Sequence, residues 1–156
     1  MTLTKKIFIC SGVCLLVGFL SGFATSSGID SWYTTLNKPS FNPPNWIFAP
    51  VWTVLYIMMG ISIALVWQAA TEGREIGASI RIFCVHLVLN GMWSIVFFGI
   101  KVPIYALVII VVLWLMISYM VIRFHKIDQK ASYVLIPYLM WVSFATALNY
   151  YIVVLN

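Results

Sequence analysis

Five long runs of apolar residues without charged side chains divide the sequence. We place the corresponding spans near residues 7–26, 46–69, 80–99, 103–123 and 132–154, with Arg81 and Arg123 at span ends. Each run holds the roughly 20 residues that a helix needs to cross a hydrocarbon core about 30 Å thick. The ten-residue alternation of apolar and polar positions that is typical of membrane β-barrels does not occur. The pattern therefore predicts an all-α integral membrane protein, a bundle of five transmembrane helices forming a single domain over residues 1–156.

The composition supports a chain that lies in a lipid bilayer. Hydrophobic residues make up 63% of the sequence and charged residues only 8%, whereas about a quarter of the residues of a soluble domain are charged. The first run, with Lys5 and Lys6 before it, has some features of a secretory signal peptide. Its apolar stretch is long for one and no clear A-x-A cleavage site follows, which favours a retained first span.

The distribution of Lys and Arg predicts the orientation of the bundle. Basic residues of cytoplasmic loops outnumber those on the other side of a membrane. Two basic residues, Lys38 and Lys101, fall on one side of the predicted spans. Seven fall on the other side: Lys5, Lys6, Arg74, Arg81, Arg123, Lys126 and Lys130. We therefore expect a cell-membrane protein with a cytoplasmic N-terminus and an external C-terminus in a bacterium. The net charge of +5 follows from this topology and does not indicate nucleic-acid binding.

The first connection, residues 27–45, is unusual for a loop. Its three prolines exclude a regular helix, and Trp32 and Tyr33 make it more apolar than a solvated loop. Long ordered loops of this kind often act as lids or binding elements. Aromatic side chains also anchor proteins at the membrane interface. The residues themselves leave both interpretations open.

Small residues in the spans predict close helix contacts. Gly18 and Gly22 form a GxxxG pattern in the first span, which allows two helix backbones to approach each other. This pattern fits packing inside the bundle or a dimer interface, and the sequence favours neither. The three cysteines, Cys10, Cys14 and Cys84, are interpreted as small apolar packing residues.

The spans lack the side chains of several common functions. No Asp or Glu lies within a predicted span, which argues against an ion-driven pump, because such proteins generally need an intramembrane carboxylate. His86 is alone in the third span and His125 lies in a loop, so no metal site is predicted. The four acidic residues lie near the interfaces, which makes a Ser–His–Asp triad implausible.

Aromatic and amide side chains are the remaining candidates for function. Trp46, Trp67 and Trp114 are interpreted as interfacial or lipid-facing. Trp52 and Tyr56 share one helix face, and Asn90 and Trp93 share another. The last span carries a stripe at helical spacing: Trp141, Phe144, Ala145, Leu148 and Asn149. These residues form either an aromatic bundle core or an apolar cavity with a few polar groups, suited to a large flat ligand.

Three motifs then identify a family resemblance. Residues 32–56 read W-Y-x-x-L-x-K-P-S-F-x-P-P-x-W and then P-V-W-T-x-L-Y, residues 90–99 contain N-x-x-W and F-F-G, and residues 137–150 read P-Y-L-x-W-x-x-F-A-T-x-L-N-Y. In this order, over about residues 15–152, they resemble the translocator protein family, also known as tryptophan-rich sensory proteins or peripheral benzodiazepine receptors.

The resemblance implies a five-helix bundle, often a homodimer, with a pocket under a lid formed by the first loop. Its implied ligands are porphyrins such as protoporphyrin IX, isoquinoline and benzodiazepine drugs, and sterols in animal members. No cofactor is implied beyond porphyrin as a ligand. Tyr105 occupies a position that is tryptophan in animal relatives. Carried over by position, the implied pocket residues are Trp32, Tyr33, Pro43, Trp52, Asn90, Trp93, Tyr105, Trp141, Phe144, Ala145 and Leu148.

Several functions remain open on this basis. The leading hypothesis is a receptor or sensor of tetrapyrroles, in which aromatic rings stack on the ligand and Asn90 hydrogen-bonds to it. The alternatives are light-dependent porphyrin degradation, with Trp52 and Trp141 as the candidate reactive residues, passive transport of tetrapyrroles or sterols, and a scaffold without a ligand. The sterol motif of the animal proteins lacks its basic residue here, since only apolar residues and Asn156 follow Tyr151. Sterol is therefore a weaker expectation.

Overall fold

The computed structural model describes the backbone of all 156 residues and every side chain except that of Asp30. It contains six α-helices and no strand among these residues. Five of the helices are long and apolar enough to cross a membrane, which confirms the predicted all-α membrane fold. The helices are α1 (Leu3–Asp30), α2 (Trp32–Thr35), α3 (Phe48–Ala69), α4 (Gly77–Ser94), α5 (Pro103–His125) and α6 (Gln129–Leu155).

The helices extend past most of the span boundaries inferred from the charges. Helix α1 continues to Asp30, so the connection placed at 27–45 begins only at Ser31, and the short helix α2 occupies its start. Within this extension the Ser26 hydroxyl donates to the carbonyl of Phe23 of the same helix. The segment that contains the prolines, residues 36–44, is not helical, as proline geometry requires.

The five long helices form a closed ring. Helix α1 packs on α3, α3 on α6, α6 on α5, α5 on α4, and α4 with its continuation packs back on α1. Each α-helix in this ring satisfies its own backbone hydrogen bonds, which a bilayer requires. The centre of the ring is filled by fully buried side chains such as Met59, Ile110, Leu113 and Tyr138. Helix α1 is the least buried of the five.

Basic side chains tie the helices together at one end of the bundle. Lys6 is only 2% exposed, and its ammonium group donates to Gln68 Oε1 at 2.9 Å. Arg123 Nε donates to Ser79 Oγ at 2.8 Å, and Arg74 donates to a backbone carbonyl of the α5–α6 turn. The start of α1, the end of α3, the start of α4 and the end of α5 therefore lie together, at the end that carries most of the basic residues.

The segment after α1 is held at the opposite end by its own polar groups. Tyr33 Oη donates to Asn42 Oδ1 at 2.7 Å, and Lys38 Nζ donates to the Tyr33 carbonyl at 2.9 Å. Burial raises the pKa of the Tyr33 phenol to about 12, so the hydroxyl stays protonated at neutral pH. Asn37 and Asn156 exchange hydrogen bonds of 3.0 Å, which fasten this segment to the end of α6.

Helices α1 and α3 approach most closely at Gly60. A β-carbon on Gly60 would overlap the backbone of Ser11, so only glycine allows this contact. Ser11 Oγ also donates to the Ile57 carbonyl at 3.3 Å across the same contact. Gly12, on the neighbouring position of α1, has open space where a β-carbon would lie.

We predict that Gly60→Ala destabilises the fold by about 1–3 kcal/mol, because the added methyl group forces two helix backbones apart. Gly12→Ala is the matched control and should leave the stability unchanged or raise it slightly. Thermal unfolding of the purified protein in detergent, followed by circular dichroism, measures both variants. Equal unfolding temperatures for the two variants would contradict the close contact at Gly60.

Candidate ligand-binding cavity

A cavity of about 590 Å³ lies between α1, α3 and α4. This volume is within the range of small-molecule binding sites in proteins. Most of its surface is apolar, and no charged side chain lines it among the described residues. Helices α3 and α4 provide the aromatic part of the wall. Helix α1 contributes Leu15, Gly18, Phe19, Ser21, Gly22, Thr25, Ser26 and Ile29.

The cavity exists because α1 and α3 diverge. They are in contact at Gly60, and Gly18 of α1 lies directly against the Tyr56 ring. Towards its end, α1 instead packs on the continuation of α4, where a β-carbon on Gly28 would overlap the Phe98 carbonyl. Gly22 of α1 and Thr53 of α3 line the cavity and are both exposed. The cavity therefore opens between α1 and α3, on the side of the bundle that faces lipid.

Tryptophan rings form the inner wall of the cavity. The ring centroids of Trp52 and Trp93 lie 5.9 Å apart with their planes 34° from parallel, and Trp52 lies 5.9 Å from Tyr56. Trp93 is fixed from behind, because its Nε1 donates to Asn149 Oδ1 at 3.2 Å. Asn149 in turn donates to the Pro103 carbonyl at 2.9 Å. The aromatic wall is thus held by the start of α5 and by α6.

A π-helical turn, Ile95–Ile100, extends α4 and shapes the end of the wall. Phe97 and Phe98 are adjacent in sequence, yet both are buried. The ring of Phe97 lies 5.7 Å from that of Trp32, and Phe98 lies 5.4 Å from Tyr33. Such wide turns are uncommon and occur frequently at functional sites. Here the turn packs against Trp32 and Tyr33, in the segment that covers the end of the bundle opposite the basic side chains.

Four polar side chains form a hydrogen-bonded chain from the cavity into the bundle. Tyr56 Oη lies 2.5 Å from Asn90 Oδ1, and Asn90 Nδ2 lies 2.8 Å from Tyr138 Oη. Tyr138 Oη is also 2.8 Å from His86 Nε2. All four residues are buried, and Tyr56 and Asn90 line the cavity. The partner that the Asn90 amide needs is thus supplied by two tyrosines.

The structure separates the residues of the predicted pocket into three groups. Tyr33, Trp52, Asn90 and Trp93 line the large cavity. Ala145 and Leu148 line a void of about 20 Å³. This void shares Tyr33, Phe48, Trp93 and Phe98 with the large cavity. The other predicted residues line neither space: Trp32, Pro43, Tyr105, Trp141 and Phe144.

Trp141 does not line the large cavity with Trp52, although the family resemblance implies both as pocket residues. Its ring packs against Phe48 and Phe144, at centroid distances of 6.2 and 5.4 Å, and its buried Nε1 has no partner among the described residues. Tyr105 is 65% exposed on the outside of α5. The cavity is bounded by α1 rather than by α6, because α1 separates from α3 and packs against the continuation of α4.

The α1 wall of the cavity was missed by the sequence analysis. The residues at 18, 21, 22, 25 and 29 recur at intervals of one helical turn, and all of them line the cavity. They are small, hydroxylated or apolar, so the stripe resembles an ordinary helix-packing face. The GxxxG pattern was the available signal, since Gly18 lies inside the bundle against Tyr56.

Comparison with known proteins identifies a family and several relatives that this chain resembles. The model of the TspO/MBR family matches residues 10–155. The tryptophan-rich protein TspO of Chlorobaculum tepidum is 45% identical over 148 residues, which cover 95% of this chain and 94% of that protein. The tryptophan-rich sensory protein of Cereibacter sphaeroides is 39% identical over 81% of this chain and 78% of its own. The human translocator protein is 34% identical over 83% of this chain and 77% of its own.

We predict that Asn90→Ala destabilises the protein by about 1–3 kcal/mol, because it leaves the buried hydroxyls of Tyr56 and Tyr138 without their amide partner. Asn45→Ala removes an exposed amide from the cavity rim and should have little effect. Thermal unfolding in detergent compares the two variants. If both unfold at the same temperature, the hydrogen-bonded chain does not stabilise the bundle.

Proposed function

The chain belongs to the TspO/MBR family, and we propose that it is a membrane receptor that binds porphyrins such as protoporphyrin IX, and related flat hydrophobic ligands. The proposed site is the cavity between α1, α3 and α4. The observation that carries the proposal is the tryptophan wall of this cavity, formed by Trp52 and Trp93 5.9 Å apart.

The shape and chemistry of the cavity support a flat, largely apolar ligand. Aromatic rings gain about 0.5–1.5 kcal/mol per pair from stacking or edge contacts beyond the burial of their area. The absence of charged side chains from the described lining favours a neutral ring system in the interior. Ser26 and Asn45 are exposed at the outer end of the cavity. There, polar substituents such as the carboxylates of a porphyrin would remain in contact with water.

The opening between α1 and α3 supports uptake from the bilayer. Flat hydrophobic ligands concentrate in the hydrocarbon region, because apolar surface is transferred out of water favourably. The outer end of the bundle is covered by the segment that Tyr33, Asn42 and the Asn37–Asn156 pair hold in place. A ligand dissolved in the membrane would therefore reach the cavity through the side of the bundle. We propose a sensory role, since occupancy would then report the amount of tetrapyrrole in the membrane.

We further propose that the basic end of the bundle is cytoplasmic. Lys6, Arg74 and Arg123 lie at this end, as do the α3–α4 and α5–α6 connections. The excess of basic residues in cytoplasmic loops then places the Tyr33 segment and the end of α6 outside.

Protoporphyrin IX should quench the tryptophan fluorescence of the purified protein in a saturable manner. Trp52→Ala should weaken its binding by about tenfold or more, because the variant loses a stacking surface of the cavity wall. Trp114→Phe, on the outer side of α5 where the indole donates to Ser143, is the matched control. Trp141→Phe should also bind like the wild type, because Trp141 does not line the cavity.

The control variants make this test specific. Equal binding by Trp52→Ala and the wild type, together with weak binding by Trp141→Phe, would place the ligand against α6 instead. No saturable quenching in any variant would overturn the receptor proposal.

The orientation predicts which loops an impermeant maleimide can label in intact bacterial cells. In a background with Cys10, Cys14 and Cys84 replaced by Ala, Ser40→Cys should be labelled from outside. Gln129→Cys should be labelled only after the membrane is permeabilised. The reverse pattern would show that the basic end faces outwards.

A further inference from the structure

The direction of the hydrogen bonds at the cavity floor decides what a ligand meets there. The hydrogen bonds that join Tyr56, Asn90, Tyr138 and His86 can be arranged in two ways. The two arrangements differ in whether the oxygen or the nitrogen of the Asn90 amide faces Tyr56. In the first arrangement, the Tyr56 hydroxyl donates its hydrogen to the Asn90 oxygen, so only its lone pairs are available to a ligand in the cavity. In the other, the amide nitrogen donates to Tyr56, and the phenolic hydrogen is free to point at a ligand.

The structure has the first arrangement. Tyr56 Oη lies next to Asn90 Oδ1, within reach of an O–H···O bond. The amide oxygen therefore faces Tyr56, and the phenol must be the donor, because a carbonyl oxygen only accepts. The amide nitrogen then donates to Tyr138 at 2.8 Å.

His86 lies at the far end of this hydrogen-bonded series, where its contact with Tyr138 determines which ring nitrogen carries the proton. Tyr138 is fully buried and already accepts from the Asn90 amide, so its own hydrogen needs an acceptor. His86 Nε2, 2.8 Å away, is the acceptor that this arrangement provides. In this arrangement His86 carries its proton on Nδ1, a buried nitrogen without a hydrogen-bond partner among the described residues. The tautomer of a residue in the bundle centre thus reports the direction of a hydrogen bond at the cavity.

Three other hydroxyls of the cavity wall donate to carbonyls of their own helices. Ser21 donates to the Val17 carbonyl at 2.9 Å, Thr25 to the Ser21 carbonyl at 2.8 Å, and Thr53 to a carbonyl of its own helix at 2.8 Å. Each of these oxygens keeps lone pairs for a ligand. The hydroxyl oxygens of Ser21, Thr25 and Thr53 therefore offer acceptors to a ligand, as Tyr56 does.

We propose that Tyr56 selects ligands by accepting a hydrogen bond. The cavity then prefers flat aromatic molecules with an N–H or O–H donor at their edge to molecules of the same shape without one. This inference rests on the proposed function, since it requires flat hydrophobic ligands to occupy the cavity. Tyr56 determines specificity because a ligand donor at the floor meets an oxygen whose hydrogen is already committed to Asn90.

Carbazole and dibenzofuran test the preference, because they are tricyclic rings of nearly the same shape that differ by an N–H group in place of a ring oxygen. The wild-type protein in detergent should bind carbazole about fivefold more tightly, the contribution of one hydrogen bond between neutral groups. Tyr56→Phe should abolish the difference between the two affinities, and thermal unfolding of this variant in detergent shows whether it is folded. Isothermal titration calorimetry measures all four affinities.

A second measurement does not depend on any variant. Nitrogen-15 NMR of the wild-type protein, assigned with His86→Gln, should show a neutral His86 with its proton on Nδ1 and none on Nε2. A proton on Nε2, equal affinities for the two tricycles, or tighter binding of dibenzofuran would overturn the selection by Tyr56 and leave the receptor proposal standing. If neither tricycle nor protoporphyrin IX binds the wild-type protein, the receptor proposal fails and this inference fails with it.

Discussion

A polar group in a hydrocarbon layer must find its partner within the protein, and this constraint shapes most of the structure. The helices satisfy their backbones internally. Several serine and threonine side chains donate to carbonyls of their own helices, and Ser11 and Ser62 donate to carbonyls of a neighbouring helix. The side chains that cannot do so collect at one level of the bundle. Asn90 lies between two tyrosines, and Tyr138 connects it to His86. Burial of these groups without partners would cost several kcal/mol.

The same constraint explains why a cavity persists among apolar helices. Trp93 is held by Asn149, and Asn149 by the start of α5, so the aromatic wall cannot turn inwards to fill the space without breaking buried hydrogen bonds. On the other side, α1 is fixed to α3 at Gly60 and to the π-helical turn at Gly28. Both contacts bring backbones close together and so allow little movement. The space between them remains open because both of its walls are anchored elsewhere.

The relation of the cavity to the membrane links this geometry to function. The cavity opens between α1 and α3, whereas the end of the bundle near Tyr33 is covered by a segment with its own hydrogen bonds. Under the proposed function, such a site would take up molecules dissolved in the bilayer. Specificity in such a site has to come from a few polar groups, since apolar contacts differ little among flat aromatic ligands. The oxygen atoms around Tyr56 are the groups in position to provide it.

The sequence by itself determined the five membrane helices. The spacing of charges and the length of apolar runs are local properties, and the thickness of the bilayer sets the run length that a spanning helix needs. It also identified Trp52, Asn90 and Trp93, since their helical spacing puts them on shared faces, and the family motifs mark the same residues. Only the tertiary structure decided that these side chains face α1 and that Trp141 packs behind Phe48. That outcome depends on where α1 contacts α3 and where the two helices separate. The contact of Gly60 with Ser11 and the contact of Gly28 with Phe98 set these two positions. No local pattern encodes such a crossing, so the α1 wall and the direction of the hydrogen bonds at Tyr56 became visible only in the folded bundle.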